Sequence, residues 1–290
     1  MKNYRMDFRA DGNIDITYGP NKIVFGLCLI ETKETDEIFT KLGYLFSEYL
    51  GISFTFRLFT SYNQIISSLE CGYLDGAIVS PPVYLSARKR NIANVILQPL
   101  RFEIDPDTGD TTVELVPFYR AIIISKNTKL RTISDLGNKT FALQERFSLT
   151  HLWSVVELYL AGILQQTGGI IMNSHKEAVN SVLSELCDAA AIFQDARNLV
   201  LTENPFIFRN THIIHYTQPI PNDAIVTKID LDQSLVISIK RAFEFVFSSV
   251  QGSIYFDRLF GWKGITEADD SKFSLLNQYI SIYSDIMNTD

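Results

Sequence analysis

Three serines stand where short apolar runs give way to helical patterns: Ser61 before Tyr62, Ser80 before Pro81-Pro82, and Ser148 before Leu149-Thr150. A helix start leaves backbone N–H groups without intrahelical partners and carries partial positive charge. A small anion suits such an end, and an adjacent hydroxyl can donate one more hydrogen bond. Each serine taken singly also reads as a plain N-cap, worth about 1 kcal/mol to the fold. All three lie at the predicted carboxyl ends of sheet strands, where ligands of open α/β sheets collect. Tyr62 and Tyr119 sit at strand ends as candidate walls of a ligand site, and Tyr84 reads equally as wall or core.

His175 opens a helix-patterned stretch after Asn173-Ser174, and an imidazole at that place can donate to an anion. His151, beside Thr150, is a second candidate of this kind. His212 and His215 flank Ile213-Ile214 and read as structural. Asp195 and Asp223 can only accept when ionised, so they would hold an amine or a protonated ligand oxygen. Asp223, in Pro221-Asn222-Asp223, equally reads as turn chemistry.

Four scattered histidines with no carboxylate at metal spacing make no metal site, and Cys28, Cys71 and Cys187 form no Cys-x-x-Cys pair. Their odd number excludes complete internal pairing. No Gly-x-Ser-x-Gly, phosphate-cradling Walker loop or Gly-x-Gly-x-x-Gly occurs. No catalytic residue, metal or cofactor is expected.

The elements that must position these groups follow a rhythm. Lys22 to Leu29 reads as a strand, Thr35 to Tyr49 as a helix ended by Gly51, and Ile52 to Phe59 as a strand. A helix capped by Ser61 runs to Gly72; Asp75 to Val79 is a third strand, and Pro81 opens the next helix. After a turn-rich stretch from Asp105 to Thr112 the rhythm restarts. Strands are expected at Tyr119 to Ser125, Thr140 to Leu143, Ala189 to Phe193 and Ile213 to Tyr216, with helices at Thr150 to Ala161 and Asn173 to Leu186. Pro219 to Asp223 is a proline-punctuated crossover, and long helices follow at Leu231 to Ser248 and Lys272 to Met287. Residues 1 to 20 read as an extended lead-in.

This pattern implies an α/β chain of two lobes, each a mixed sheet flanked by helices, joined by two interlobe crossovers. One lobe is placed at 20–116 plus 222–290 and the other at 117–221. One continuous doubly wound sheet is the alternative. The 290 residues, 46% hydrophobic, suffice for two moderate cores. A net charge of −7 argues against a nucleic-acid partner, while leaving room for a locally positive small-anion site. The longest apolar runs fall far short of the ~20 residues of a spanning helix. Met1 to Asn13 has no apolar signal-peptide core, so the expected place is extracytoplasmic (periplasmic) if a leader was removed and cytoplasmic if the chain is complete.

Several segments occur in a telling order: Leu58-Phe59-Thr60-Ser61-Tyr62, Leu74 to Tyr84 (LDGAIVSPPVY), Thr132 to Ala142 (TISDLGNKTFA), Ser174-His175, Cys187 to Ala191 (CDAAA) and Pro219-Ile220-Pro221-Asn222-Asp223. Together, from about residue 22 to about 285, they resemble the phosphate/phosphite/phosphonate substrate-binding proteins of ABC transporters. The resemblance implies the periplasmic-binding-protein type II fold, a small tetrahedral oxyanion held in an interlobe cleft and a membrane permease as partner; it does not imply catalysis, and a monomer is expected. It carries Ser61, Tyr62, Ser80, Tyr119, Ser148, Thr150, His151, His175, Asp195 and Asp223 as ligand-binding candidates. Two departures stand out. Where phosphonate binders of the family carry Ser-Thr-Ser-Gly, this chain has Ser148-Leu149-Thr150-His151. The acidic residue that follows the family's histidine is displaced, with Lys176 in its place and Glu177 next. A ligand-sensing domain without a transport role, and an enzyme on the same fold, are the competing readings.

Overall fold

The computed structural model describes residues 4–8, 14–18, 22–29, 32–105, 108, 110–144, 148–194 and 196–289. Contacts divide the chain into two compact units: Met1–Pro99 with Asp223–Ala268, and Leu100–Asn222 with Asp269–Asp290.

The expected lead-in contains an antiparallel pair, β1 (Tyr4–Phe8) and β2 (Ile14–Tyr18). The predicted rhythm then follows: β3 (Lys22–Cys28), α1 (Lys33–Leu50), β4 (Ser53–Phe59), α2 (Tyr62–Glu70), β5 (Gly76–Val79) and α3 (Pro81–Lys89). Helix α1 starts at a capping box in which Thr32 and Thr35 bond each other's backbone N–H groups, and it stops where Gly51 turns left-handed at φ 67°. Strand β6 (Ala93–Ile104) is long, and its second half pairs antiparallel with β7 (Thr111–Val116).

The second unit continues with β8 (Phe118–Tyr119), β9 (Ala121–Ser125), β10 (Thr140–Leu143), α4 (Leu149–Leu160), β11 (Gly168–Ile171), α5 (His175–Leu183), β12 (Ala189–Phe193), α6 (Ile207–Asn210), β13 (His212–Tyr216) and β14 (Ile220–Pro221). The chain returns to the first unit as β15 (Ala224–Lys228), α7 (Gln233–Ser248), α8 (Val250–Phe260) and β16 (Gly264–Glu267), and ends in α9 (Ser274–Thr289). Ser249 separates α7 from α8 and caps the latter by accepting from Gly252 N–H. Only glycine fits at 252, because a Cβ there would lie 1.9 Å from the Val246 carbonyl oxygen.

The two sheets share one plan. The first has the order β16-β6-β15-β5-β3-β4 and the second β11-β10-β12-β9-β13. In each, three strands run parallel with the earliest in the middle: β4-β3-β5 and β11-β10-β12. In each, an antiparallel strand follows, β15 beside β5 and β9 beside β12. Each unit is therefore an α/β layer built on a mixed sheet flanked by helices. The first core is aromatic: Phe46 stacks on Phe54 at 4.5 Å and meets Phe243 edge-on at 4.7 Å, while Phe25 stacks on Phe54 at 5.2 Å. The second core is aliphatic, built from Ile122, Ile124, Ala142, Val179, Ala190 and Ile192 on one sheet face. Ile123, Phe141, Ala189 and Ala191 form the other face.

Two boundaries differ from those expected. The first division falls at Pro99/Leu100 rather than 116/117, since the β6–β7 hairpin belongs with the second unit. Gln194 Nε2 donates to the Ile104 carbonyl, and Asn222 N–H donates to Pro117 O at 2.9 Å. The second difference is at the C-terminus. Residues 269–290 join the second unit because α9 packs on α4, with Tyr279 stacked on Trp153 at 4.5 Å. The chain therefore crosses between units three times, not two. Among the described residues no helix is long and apolar enough to cross a membrane.

Candidate functional site

Every candidate helix start follows a parallel strand, so the shared sheet plan brings the site groups to equivalent ends of the two units. In the first unit α2 begins after β4. Ser61 is extended (φ −148°, ψ 149°) and accepts from Gln64 N–H at 3.4 Å, so its hydroxyl serves as a cap. Ser80 precedes α3 and makes no side-chain cap bond. Pro81 and Pro82 supply no N–H, and Tyr84 N–H already bonds Ser80 O at 3.0 Å. The start of α3 thus offers the Ser80 hydroxyl and the Val83 N–H, less than a full set of helix donors.

Tyr62 and Ser80 share a side-chain hydrogen bond, which links the starts of α2 and α3. Burial, then the nearby charge of Asp223, push the Tyr62 hydroxyl above its ordinary pKa, and Cys28 adds to this when it ionises, so Tyr62 remains a protonated donor. Asp223 is half-buried at the entry to β15. Ser61, Tyr62, Ser80 and Asp223 are thus neighbours in the first unit. Cys28, at the carboxyl end of β3, joins them and was not among the predicted residues. Burial raises its thiol pKa as well. Its position at a strand's carboxyl end was the available signal.

In the second unit Ser148 is the N-cap of α4 and makes no side-chain cap bond. The first bond of that helix runs from Leu152 N–H to Ser148 O at 3.0 Å, so the N–H groups of Leu149, Thr150 and His151 precede it. Thr150 and His151 do not present their side chains as expected. Both are buried; the His151 ring lies 2.7 Å through Nδ1 from the Gln144 carbonyl oxygen and meets Tyr283 edge-on at 5.9 Å. A carbonyl only accepts, so His151 carries its proton on Nδ1 and is engaged within the unit. Tyr84 is likewise buried.

His175 is the first residue of α5. Ser174 accepts from Glu177 N–H at 3.1 Å, and Glu177 Oε2 accepts from Asn173 N–H at 2.9 Å, which fixes the helix entry. Ser174-His175 therefore stands to β11 as Ser61-Tyr62 stands to β4. The His175 ring meets Phe193 edge-on at 4.5 Å, and Nδ1 is buried without a hydrogen-bond partner among the described residues. Burial lowers its pKa to about 4, so the imidazole is neutral at pH 7. A neutral ring holds one N–H donor and one acceptor. Tyr119 is half-buried in β8, paired with Ile220 of β14. Asp195 lies outside the described residues. His212 and His215 are structural as read: His212 Nε2 is 2.6 Å from the Leu130 carbonyl oxygen, and His215 Nε2 is 3.4 Å from Glu157 Oε2. Among the described residues no group of three His, Cys, Asp or Glu is placed to hold a metal.

Two sets of groups result. Hydroxyls, backbone N–H groups and one neutral imidazole supply donors, and Asp223 supplies an acceptor. Within its own unit, each set can hydrogen-bond an oxyanion without an Arg or Lys cluster.

Comparison with known proteins shows the α/β fold of the type II periplasmic binding proteins, with mixed sheets flanked by helices. Residues 25–273 match the family model described as "ABC transporter, phosphonate, periplasmic substrate-binding protein". No curated protein matches the chain. Among solved structures, XAC2383 from Xanthomonas citri bound to ATP superposes with a TM-score of 0.68 at 17% identity, covering 93% of this chain and 99% of that one. PhnD1 from Prochlorococcus marinus in complex with methylphosphonate gives 0.58 at 16% identity, covering 90% and 97%. A binding protein component of an ABC phosphonate transporter from Pseudomonas aeruginosa gives 0.57 at 16%, covering 91% and 86%.

Proposed function

The chain belongs to the periplasmic phosphonate substrate-binding proteins of ABC transporters, and from that premise we propose that it captures a small oxyanion of the phosphonate, phosphite or phosphate type and delivers it to a membrane permease. Binding is non-catalytic and the protein acts as a monomer outside the cytoplasm. Ser61, Tyr62, Ser80, Asp223 and Cys28 form the ligand-facing set of the first unit. Tyr119, Ser148, the α4 N–H groups and His175 form that of the second.

The observation that carries this reading is His175: a neutral imidazole at a helix start, with a buried ring nitrogen that has no partner among the described residues. A buried polar atom left unpaired costs about 1–3 kcal/mol, and an incoming oxyanion or its protonated oxygen supplies the missing partner. The departure at Leu149, the first residue of α4, removes a hydroxyl from the second set. We infer a preference for compact anions over aminoethylphosphonate. A thermal-shift series against phosphate, phosphite, methylphosphonate, aminoethylphosphonate, sulfate and carboxylates tests the reading, because a ligand bound only by the folded chain raises Tm. Stabilisation by carboxylates alone would refute the oxyanion class.

A further inference from the structure

Glu157 is a half-buried carboxylate on α4 that the proposed site does not use. Three groups from three parts of the second unit converge on it. Tyr279 of α9 donates its hydroxyl to Oε1 at 2.7 Å, His215 of β13 stands 3.4 Å from Oε2, and the Gln218 backbone N–H adds a third bond. Burial alone would push the carboxyl up. The Tyr279 hydroxyl, the nearby His215 ring and the Gln218 backbone outweigh it and hold the group below its usual range. The same Tyr279 ring stacks on Trp153, one turn earlier on α4.

The next inward residue of α9 extends this contact toward the start of α4. Tyr283 lies one turn after Tyr279 and meets His151 edge-on. As α9 advances from Tyr279 to Tyr283, its partners on α4 recede from Glu157 and Trp153 to His151, so the helices run antiparallel. The C-terminal half of α9 thus covers the first turn of α4. That turn carries Ser148 and the N–H groups of the candidate oxyanion site. It also explains why α4 is buried on so many sides: the sheet covers one and α9 another.

We propose that α9 is a strap that positions the ligand-binding start of α4, with the Glu157–Tyr279 hydrogen bond as its latch. Glu157 and Tyr279 are positioning residues; neither touches the ligand. The ligand assigned to α4 rests on the function proposed above, whereas the strap itself does not. Hydrogen exchange on the full chain without ligand therefore tests it separately. Tyr279→Phe keeps the ring on Trp153 and removes only the hydroxyl, and Glu157→Gln keeps the shape of the acceptor. Losing a hydrogen bond to a charged group should lower exchange protection by roughly 10-fold or more where the bond holds the segment closed. The loss should appear in Ser274 to Thr289 and in the α4 amides from Leu152 to Val156. Amides of β9, β12 and the first unit should keep their protection. Unchanged protection of α9 in both variants would overturn the proposal. So would an equal loss across the whole second unit, which would make Glu157 a general stability residue. Faster exchange in α9 with an unchanged α4 would leave α9 no positioning role and also overturn it.

Discussion

Replacing His175 by alanine separates a ligand donor from a structural histidine. In the ligand-free chain the substitution has two opposing effects. It removes the edge contact with Phe193, worth about 1 kcal/mol, and it removes a buried nitrogen that has no partner, which offsets a similar amount. Alanine is well tolerated in the first turn, and Ser174 still caps the helix. The ligand-free stability should therefore stay within about 1 kcal/mol of the parent. With the oxyanion bound, the variant lacks one hydrogen bond to a charged group, worth about 1.5–3 kcal/mol, so affinity should fall roughly 10- to 150-fold. Calorimetric titration with methylphosphonate, beside a ligand-free melt of the same sample, reads both numbers. His212→Ala is the control: its ring bonds the Leu130 carbonyl, so it should lose stability and keep affinity. An affinity within about threefold of the parent for His175→Ala would remove this residue from the site and refute the reasoning.

Further predictions rest on other observations. The folded chain holds His175 near a pKa of about 4 against 6.5 for the free side chain, so between those values the unfolded chain binds more protons. Stability should accordingly rise with pH from about 4 to about 6.5, by about 1–2 kcal/mol after allowance for partial solvent screening, and His175→Asn should flatten that segment of a urea-melt pH series. Ser61→Ala removes a working cap and should cost about 1 kcal/mol by denaturant titration. Ser80→Ala removes no cap bond and should cost less stability while weakening anion binding through the loss of its Tyr62 contact. Gly76→Ala would bring a Cβ within 2.3 Å of the Phe25 ring and 2.5 Å of the Val226 carbonyl oxygen, so it should destabilise the first unit by about 1–3 kcal/mol, visible as a lower Tm.

The alternation of strands and helices from Lys22 to Lys89 was legible because each apolar run there is short and bounded by Ser, Gly or Pro. Ala189 to Phe193, a fully apolar run after a helix, was legible for the same reason. The placement of α9 was not. Its apolar face, with Leu276, Tyr279, Tyr283 and Ile286, announces a helix that packs but does not say on which unit. The missing clue lay in α4: LTHLWSVVELYL carries too few polar positions for a helix covered on one side, so a second cover was implied. The same phase of α4 buries Thr150 and His151, which their place at a helix start does not announce. Ser61, Ser80 and Ser148 are legible as helix starts from their type and their place after apolar runs. Which of them spend their hydroxyl on capping depends on backbone geometry that sequence does not carry. Cys28 is not legible as a site residue because a thiol inside an apolar run reads as core, although its place at the carboxyl end of β3 puts it beside Tyr62.

The most direct measurement is the affinity of the purified chain for tetrahedral oxyanions by calorimetry at neutral pH. At least one of phosphate, phosphite and methylphosphonate should bind with one-to-one stoichiometry, and aminoethylphosphonate should bind more weakly than the best of them because Leu149 stands at the start of α4. Absence of binding by all three, or tighter binding of aminoethylphosphonate than of any smaller anion, would contradict the account.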